Sequence, residues 1–362
     1  MSDTRRVHGR RTIVDGWRTS CPAIGRCRWK IADLALERCV LVVDVMGHPL
    51  RCYYPGVVYE ITSRTIQERF LLRPGPRSAE IIVGVLARGL ELHPEVALHA
   101  FNYQSDHYHM MMSSSDGARL SRFLGFVNGR VASEMGRLHG WRGPFWARRA
   151  RVVPTTDDKG VIERLRYVIG QGVKEGLVAS PRDWPGASST SALLGDMTVE
   201  GVYFDRDAET RARRYRALSH PLEFSRKITL RLTPIPPWAH LSADELRARH
   251  VALVAGIEAT ALPQVVGPAR LQRVDPLARP AQPARSPAPL CHASDPAMRR
   301  AYRSFYRRLC AAFRALSSRV RAGETVERDE FPPGSFPPNL AFIRPSEGAR
   351  PPWLELAATG TT

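Results

Sequence analysis

The feature that most constrains this chain is a pair of strand-patterned runs set back to back. Val96–Gln104 and His107–Ser114 are separated only by Ser105-Asp106, which predicts two antiparallel strands around a tight turn. The pair sits inside a longer alternation. Val57–Arg64 (VVYEITSR) alternates apolar and polar residues and predicts a strand. Ser78 supplies an N-cap for a helix from Ala79 to about Leu92, with Ile81, Ile82, Val85, Leu86 and Leu90 on one face. Gly117–Leu138 carries Leu120, Phe123, Leu124, Val127 and Val131 at helical spacing. Arg149–Pro154 predicts a short strand, and Asp157 or Asp158 caps a helix running through Arg164–Val168. Strand, helix, strand, strand, helix, strand is the order of an α+β fold. It predicts a ferredoxin-like βαββαβ antiparallel sheet with helices on one face.

The flanks read differently. Residues 1–45 have 9 basic and 5 acidic residues, and their apolar stretch Ile31–Val45 is broken by Asp33, Glu37, Arg38 and Asp44. That pattern excludes a signal peptide and a membrane anchor. We read this segment as a basic appendage, or a start-site artefact with Met46 as the functional start; a nucleic-acid-contacting arm is the alternative. Residues 46–205 form the expected main domain. Residues 206–362 form a mostly helical and irregular C-terminal extension. It includes a Pro-rich linker over 276–294, densest in Pro, Ala and Arg across 276–289, and a helix over 296–321 opened by Asp295-Pro296. In that helix Tyr302, Phe305, Tyr306, Leu309, Phe313, Leu316 and Val320 make one stripe, and Arg299–Arg321 contains eight Arg and no acid.

The formal net charge is +18, which implies a polyanionic partner. The charge is uneven. Residues 46–205 hold 19 basic and 16 acidic residues, and residues 206–362 hold 25 and 14. The excess therefore lies mainly in the extension, as it would if the extension gripped phosphates by salt-sensitive contacts. No apolar run is long enough to span a bilayer, so no membrane partner is expected. Six cysteines at 21, 27, 39, 52, 291 and 310 form no C-x-x-C pair and predict reduced, packed thiols in a cytoplasm.

Two clusters carry chemistry. In His107-Tyr108-His109 the two imidazoles lie two apart on a strand, hence on one side, where they can meet one metal. Standing alone, the motif reads as two satisfied strand histidines. Tyr167 and Gln171, four apart, share one helix face. A tyrosine hydroxyl attacks phosphorus once deprotonated, if a metal polarises the target. A Gln carbonyl beside two imidazoles suits Mn²⁺ or Mg²⁺ better than a closed zinc site. Singly, Tyr167 reads as a core aromatic, and Gln171 as a solvated helix end between Gly170 and Gly172. Trp146, Arg148, Arg149, Arg151 and Arg64 offer base stacking and phosphate contact; the alternative is a core Trp146 and a solvated charge run. Tyr53 and Tyr54 are stacking candidates of which at least one packs.

Taken together, residues 46–190 resemble the single-tyrosine transposases of the IS200/IS605 type, closest to their REP-associated branch within the HUH endonucleases. The resemblance rests on Leu50–Arg64 (LRCYYPGVVYEITSR), Leu98–Met112 (LHAFNYQSDHYHMMM), Leu120–Phe126, Pro144–Arg149 (PFWARR), and Arg166–Val178 (RYVIGQGVKEGLV) followed by Trp184-Pro185. It covers about 145 residues in order and approximate spacing. It departs at Gln171-Gly172, where the family has Asn-Pro. It departs also at Asp106, where an Asn is usual; the extra charge strengthens metal attraction or raises the pKa of the histidines.

The resemblance implies His107, His109 and Gln171 as ligands of Mg²⁺ or Mn²⁺ and Tyr167 as nucleophile. It implies cleavage and rejoining of single-stranded, hairpin-forming DNA through a 5′-phosphotyrosine, without ATP. Exchange of two strands then needs a homodimer, or a monomer acting in separate steps. The implied location is cytoplasmic and nucleoid-associated. Two other readings stay open: a domesticated binder of nucleic-acid hairpins that does not cleave, and a metal phosphodiesterase that uses water as nucleophile.

Overall fold

The computed structural model describes residues 49–215, 220–280 and 289–337. The appendage expected over 1–45 lies outside them, with Cys21, Cys27 and Cys39 and part of the Pro-rich linker. The first strand, β1 (Tyr59–Arg64), is followed by α1 (Pro76–Leu92), β2 (Val96–Tyr103), β3 (His107–Ser114), α2 (Gly117–His139), β4 (Arg151–Pro154) and α3 (Asp158–Ile169). The four strands form one antiparallel sheet in the order β2-β3-β1-β4. This is the ferredoxin-like βαββαβ arrangement the patterning predicts, with its two helices α1 and α2 on one face; the third helix, α3, lies on the other.

Register decides which side chains meet. Ile61 lies opposite Met110 and Ser63 opposite Tyr108, so these face one side. Glu60 opposite Met111, Thr62 opposite His109 and Arg64 opposite His107 face the other. The first side is covered by α1 and α2: Tyr108 Oη donates to Asn128 Oδ1 of α2 at 2.8 Å. Across the second side runs α3, tied to β2 by Asn102 Nδ2 donating to the Val168 carbonyl at 3.1 Å. The sheet is therefore sandwiched, and every residue of β3 is buried. On α3, Val161, Leu165, Val168 and Ile169 are buried, each contributing about 1.5–3 kcal/mol.

Local chemistry explains the helix ends. Asp116 Oδ1 caps α2 by accepting from Ala118 N at 2.8 Å, and Gly140 at φ 66° ends it in the left-handed region. The start of α1 differs from expectation. The helix begins at Pro76 with Gly75 as cap, and Ser78 Oγ instead donates to the carbonyls of Arg73 and Gly75. Proline at the first helical position needs no N–H partner, so it extends the helix one turn earlier than the serine signal.

Beyond α3 come α4 (Gln171–Lys174), α5 (Thr190–Leu194), β5 (Thr198–Phe204), α6 (Arg206–Arg214), β6 (Ser225–Arg231), α7 (Ala243–Glu258), α8 (Pro268–Gln272) and α9 (Pro296–Arg321). β5 and β6 pair as an antiparallel hairpin, so the boundary expected between residues 205 and 206 falls within it. The hairpin lies on α1 with backbone almost touching backbone. A Cβ on Gly84 would stand 2.2 Å from the Val202 carbonyl oxygen, and Gly201 meets Gly84 equally closely. The helix α9 starts where Asp295-Pro296 predicts. Its buried Tyr302, Phe305, Tyr306 and Leu309 pack toward the segment just before β1, with Phe305 6.0 Å from the Tyr54 ring and Tyr306 Oη donating to the Leu50 carbonyl.

Tyr53 and Tyr54 are both buried. Among the described residues Cys52, Cys291 and Cys310 are free thiols; burial pushes Cys52 up to about 12 and Cys291 to about 11. Among the described residues no helix is long and apolar enough to cross a membrane.

Candidate active site

The sheet face beneath α3 assembles the predicted chemistry. His107 and His109 are 7% and 8% exposed, with ring centroids 5.2 Å apart and planes at 84°. Each ring is backed by a carboxylate. His107 Nδ1 donates to Asp106 Oδ1 at 2.7 Å, and His109 Nδ1 donates to Glu60 Oε1 at 2.8 Å. An ionised carboxylate only accepts, so Nδ1 carries a proton in both rings and Nε2 is the nitrogen left to ligate. This is the outer-shell arrangement that fixes a metal-binding imidazole and raises its basicity.

The charges agree with that assignment. Burial pushes the Glu60 carboxyl up, but hydrogen bonds from His109 and His292 outweigh it and hold Glu60 well below the ordinary carboxylate range. Burial likewise opposes Asp106, and His107 and Arg64 outweigh it. Burial pushes His109 down more than Glu60 pulls it up, which keeps the imidazole neutral, the ligating form.

Tyr167 stands over this pair. Its ring lies 5.4 Å from that of His109 at 84°. Two cations flank the same ring: the Arg164 guanidinium 4.2 Å and the Lys174 ammonium 4.5 Å from its centroid. The tyrosine is half-buried and borders an open groove of about 420 Å³ that Arg164, Arg166, Lys174, Ile257 and Thr260 also line.

The helix expected to carry both Tyr167 and Gln171 is interrupted. α3 ends at Ile169 and α4 begins at Gln171, joined through Gly170 at φ −86° and ψ 2°. The break falls at the glycine pair flanking Gln171, where helix propensity is lowest. Gly172 leaves no spare room: a Cβ there would lie 3.0 Å from Trp184 and Val178.

Do the residues fit a metal? Gln171 is 1% exposed, and its Nε2 has no hydrogen-bond partner among the described residues. The orientation of a buried amide is assigned from its partners, so the flipped group presents its carbonyl oxygen equally well. Two carboxylate-backed imidazoles and an orphaned amide four residues beyond Tyr167 supply a candidate donor set of two nitrogens and one oxygen. Among the described residues no three His, Cys, Asp or Glu side chains converge as a cage. A third protein ligand would have to be Gln171, and a set of two imidazoles and one amide oxygen is chemically compatible with a hard, partly hydrated divalent ion.

The outlying candidates are placed less directly. Arg64 pairs with Glu68 at 3.3 Å and Asp106 at 3.7 Å, on the rim of the His107 carboxylate. Trp146 is half-buried, donates Nε1 to the Asn128 carbonyl at 2.9 Å and packs edge-on against Tyr108. That anchoring matches the core alternative more than a free stacking platform. Arg148 and Arg149 are exposed, and Arg151 donates to the Pro289 carbonyl at 2.9 Å.

Four residues at the centre were not singled out from sequence: Glu60, Arg164, Lys174 and His292. Arg164 and Lys174 stand three before and seven after Tyr167, a helical spacing that was there to be read. Glu60 is the polar position of an alternating strand and looks solvent-facing until α3 covers it. His292 Nε2 meets Glu60 Oε2 from the far end of the chain. A cavity of about 250 Å³ beside it is lined by Glu163, Arg164, Arg299 and Arg303.

No protein-family profile and no curated protein matches the chain. Among solved structures it is similar to a REP-associated tyrosine transposase bound to a REP hairpin, at 17% identity and TM-score 0.36 over 41% of this chain and 86% of that one. It is also similar to a candidate transposase of Deinococcus radiodurans, at 17% identity and TM-score 0.25 over 34% of this chain and 98% of that one. A third is the tRNA(His) guanylyltransferase of Saccharomyces cerevisiae, at 11% identity and TM-score 0.28 over 41% and 68%. The fold assignment for this chain rests on its own strand order and register.

Proposed function

We propose that the chain is a metal-dependent single-stranded DNA endonuclease and strand transferase of the single-tyrosine class. One observation carries the reading: the Tyr167 ring stands against that of His109, one of two adjacent carboxylate-backed imidazoles. His107, His109 and Gln171 would hold Mg²⁺ or Mn²⁺. When bound, the ion supplies Lewis-acid polarisation of a backbone phosphate.

The chain's own residues do the rest. Arg164 and Lys174 draw the phosphate to the tyrosine and offset its charge. Tyr167 Oη bonds to phosphorus as the P–O3′ bond breaks. The proton lost by the phenol is balanced by the one gained at the 3′-oxygen. The strand is left as a 5′-phosphotyrosine and a free 3′-OH, and the same groups run the step backwards to rejoin it. The basic groove around Tyr167 and the Arg-lined cavity beside His292 suit the flanking backbone of a single strand emerging from a hairpin.

The test is incubation of the full chain with labelled hairpin DNA and Mn²⁺, resolved on a denaturing gel. A covalent protein–DNA adduct absent from Tyr167→Phe supports the reading. Cleavage without adduct supports the phosphodiesterase, and binding without cleavage the hairpin binder; either result overturns it.

A further inference from the structure

We propose that His292, brought to the site by the C-terminal extension, is a positioning residue of the metal centre: it holds Glu60, and through Glu60 the imidazole of His109. The inference deepens the functional reading above and rests on it.

The geometry is a relay of contacts across the sheet. Glu60 Oε1 accepts from His109 Nδ1, and Glu60 Oε2 meets His292 Nε2. The carboxylate is 4% exposed. The Arg164 guanidinium stands at 3.7 Å from it, beyond hydrogen-bond distance. A carboxylate tied at one oxygen still turns about its terminal torsion, which has broad minima. With Oε1 tied by His109 and Oε2 pressed against His292 Nε2, an ion-pair contact whose angle is not that of a hydrogen bond, it has little room to turn. The His109 ring it backs then keeps one orientation and one tautomer.

The extension is built to deliver this side chain. β4 is an edge strand of the main sheet, and the segment around His292 pairs alongside its end. His292 N donates to the Pro154 carbonyl at 2.8 Å, and Thr156 N donates to the His292 carbonyl at 2.9 Å. Three residues away Arg151 Nη2 holds the Pro289 carbonyl. On the other flank Ser294 N and Oγ both donate to Asp157, the residue that caps α3. The backbone of this segment is thus held independently of the His292 side chain. The imidazole is free to serve Glu60, and its removal leaves the segment in place.

The experiment titrates Mn²⁺ into the full-length wild type, His292→Ala and His292→Gln, with free Mn²⁺ read by EPR and no DNA present. The alanine variant should bind Mn²⁺ roughly 10–100-fold more weakly, the usual effect of removing an outer-shell partner. The glutamine variant, whose amide N–H₂ can reach Glu60, should recover most of that loss. His292→Leu fills the space without a ring nitrogen, so it reports the missing polar contact even where the alanine cavity unfolds the chain. A folded Ala or Leu variant that binds Mn²⁺ within two-fold of wild type overturns the inference and leaves the metal centre standing. A wild type that binds no Mn²⁺ overturns the metal centre and the inference together.

Discussion

Replacing Glu60 by Gln separates the role of its charge from the role of its shape. The carboxylate is buried, receives His109 at 2.8 Å, meets His292 and lies 3.7 Å from Arg164. A hydrogen bond to a charged group contributes about 1.5–3 kcal/mol, against about 1 kcal/mol for a neutral pair. The His109 bond to Glu60 therefore loses roughly 0.5–2 kcal/mol on neutralisation, and the close His292 contact weakens with it. Against this, a buried carboxylate costs several kcal/mol of desolvation that an amide avoids. The net stability change at neutral pH should be small, about 1 kcal/mol. Metal affinity should behave differently. Gln has one acceptor and one donor, so one imidazole must face a donor, and His109 loses its anionic backing. Mn²⁺ affinity should fall roughly 10–100-fold.

The pH dependence adds a sign. Glu60 has a depressed folded pKa, so its contribution is present above its unfolded value near 4.3 and fades as pH falls toward the folded one. Glu60→Gln should therefore flatten the acid side of the stability profile below about pH 4. Urea unfolding from pH 3 to 7, with Mn²⁺ titration at pH 7, reads both effects. An unchanged Mn²⁺ affinity in a folded variant refutes the reasoning, since the carboxylate would then not act on His109.

Asp157 joins the cap of α3 to the extension, accepting from Gly160 N at 2.6 Å, Ser294 Oγ at 2.7 Å and Ser294 N at 2.8 Å. Asp157→Ala should cost about 2–4 kcal/mol in urea and expose the segment near residue 290 to limited proteolysis; wild-type proteolytic resistance there contradicts it. Gly84→Ala places a Cβ 2.2 Å from the Val202 carbonyl, so it should destabilise by about 1–3 kcal/mol or more, seen as a lowered melting temperature by circular dichroism. An unshifted melt would mean that α1 and the β5–β6 hairpin do not approach so closely.

What could be read from the sequence was local. The β2–β3 pair, the caps at Asp157 and Asp295, and the spacings of His107 to His109 and of Tyr167 to Gln171 are each written within a few residues. Ser78 misled because Pro76, two residues earlier, already starts a helix. β6 (SRKITLR) buries only Ile228 and Leu230, an alternation too short to stand out in a region read as helical and irregular. Glu60 and His292 were illegible for a stronger reason. A polar residue in an alternating strand announces solvent, and a single His after a Pro-rich run announces nothing. Their meaning comes from α3 covering the sheet and from a segment 137 residues beyond Thr155 pairing beside it.

The most direct test of the central claim is the chemistry of the covalent link. The full chain is reacted with hairpin DNA and Mn²⁺, digested, and the DNA-bearing peptide sequenced by mass spectrometry. The account predicts a single adduct on Tyr167, joined to a 5′-phosphate, with the released strand ending in a 3′-OH. An adduct on another residue, a 3′-phosphate link, or cleaved strands with no protein attached would contradict it.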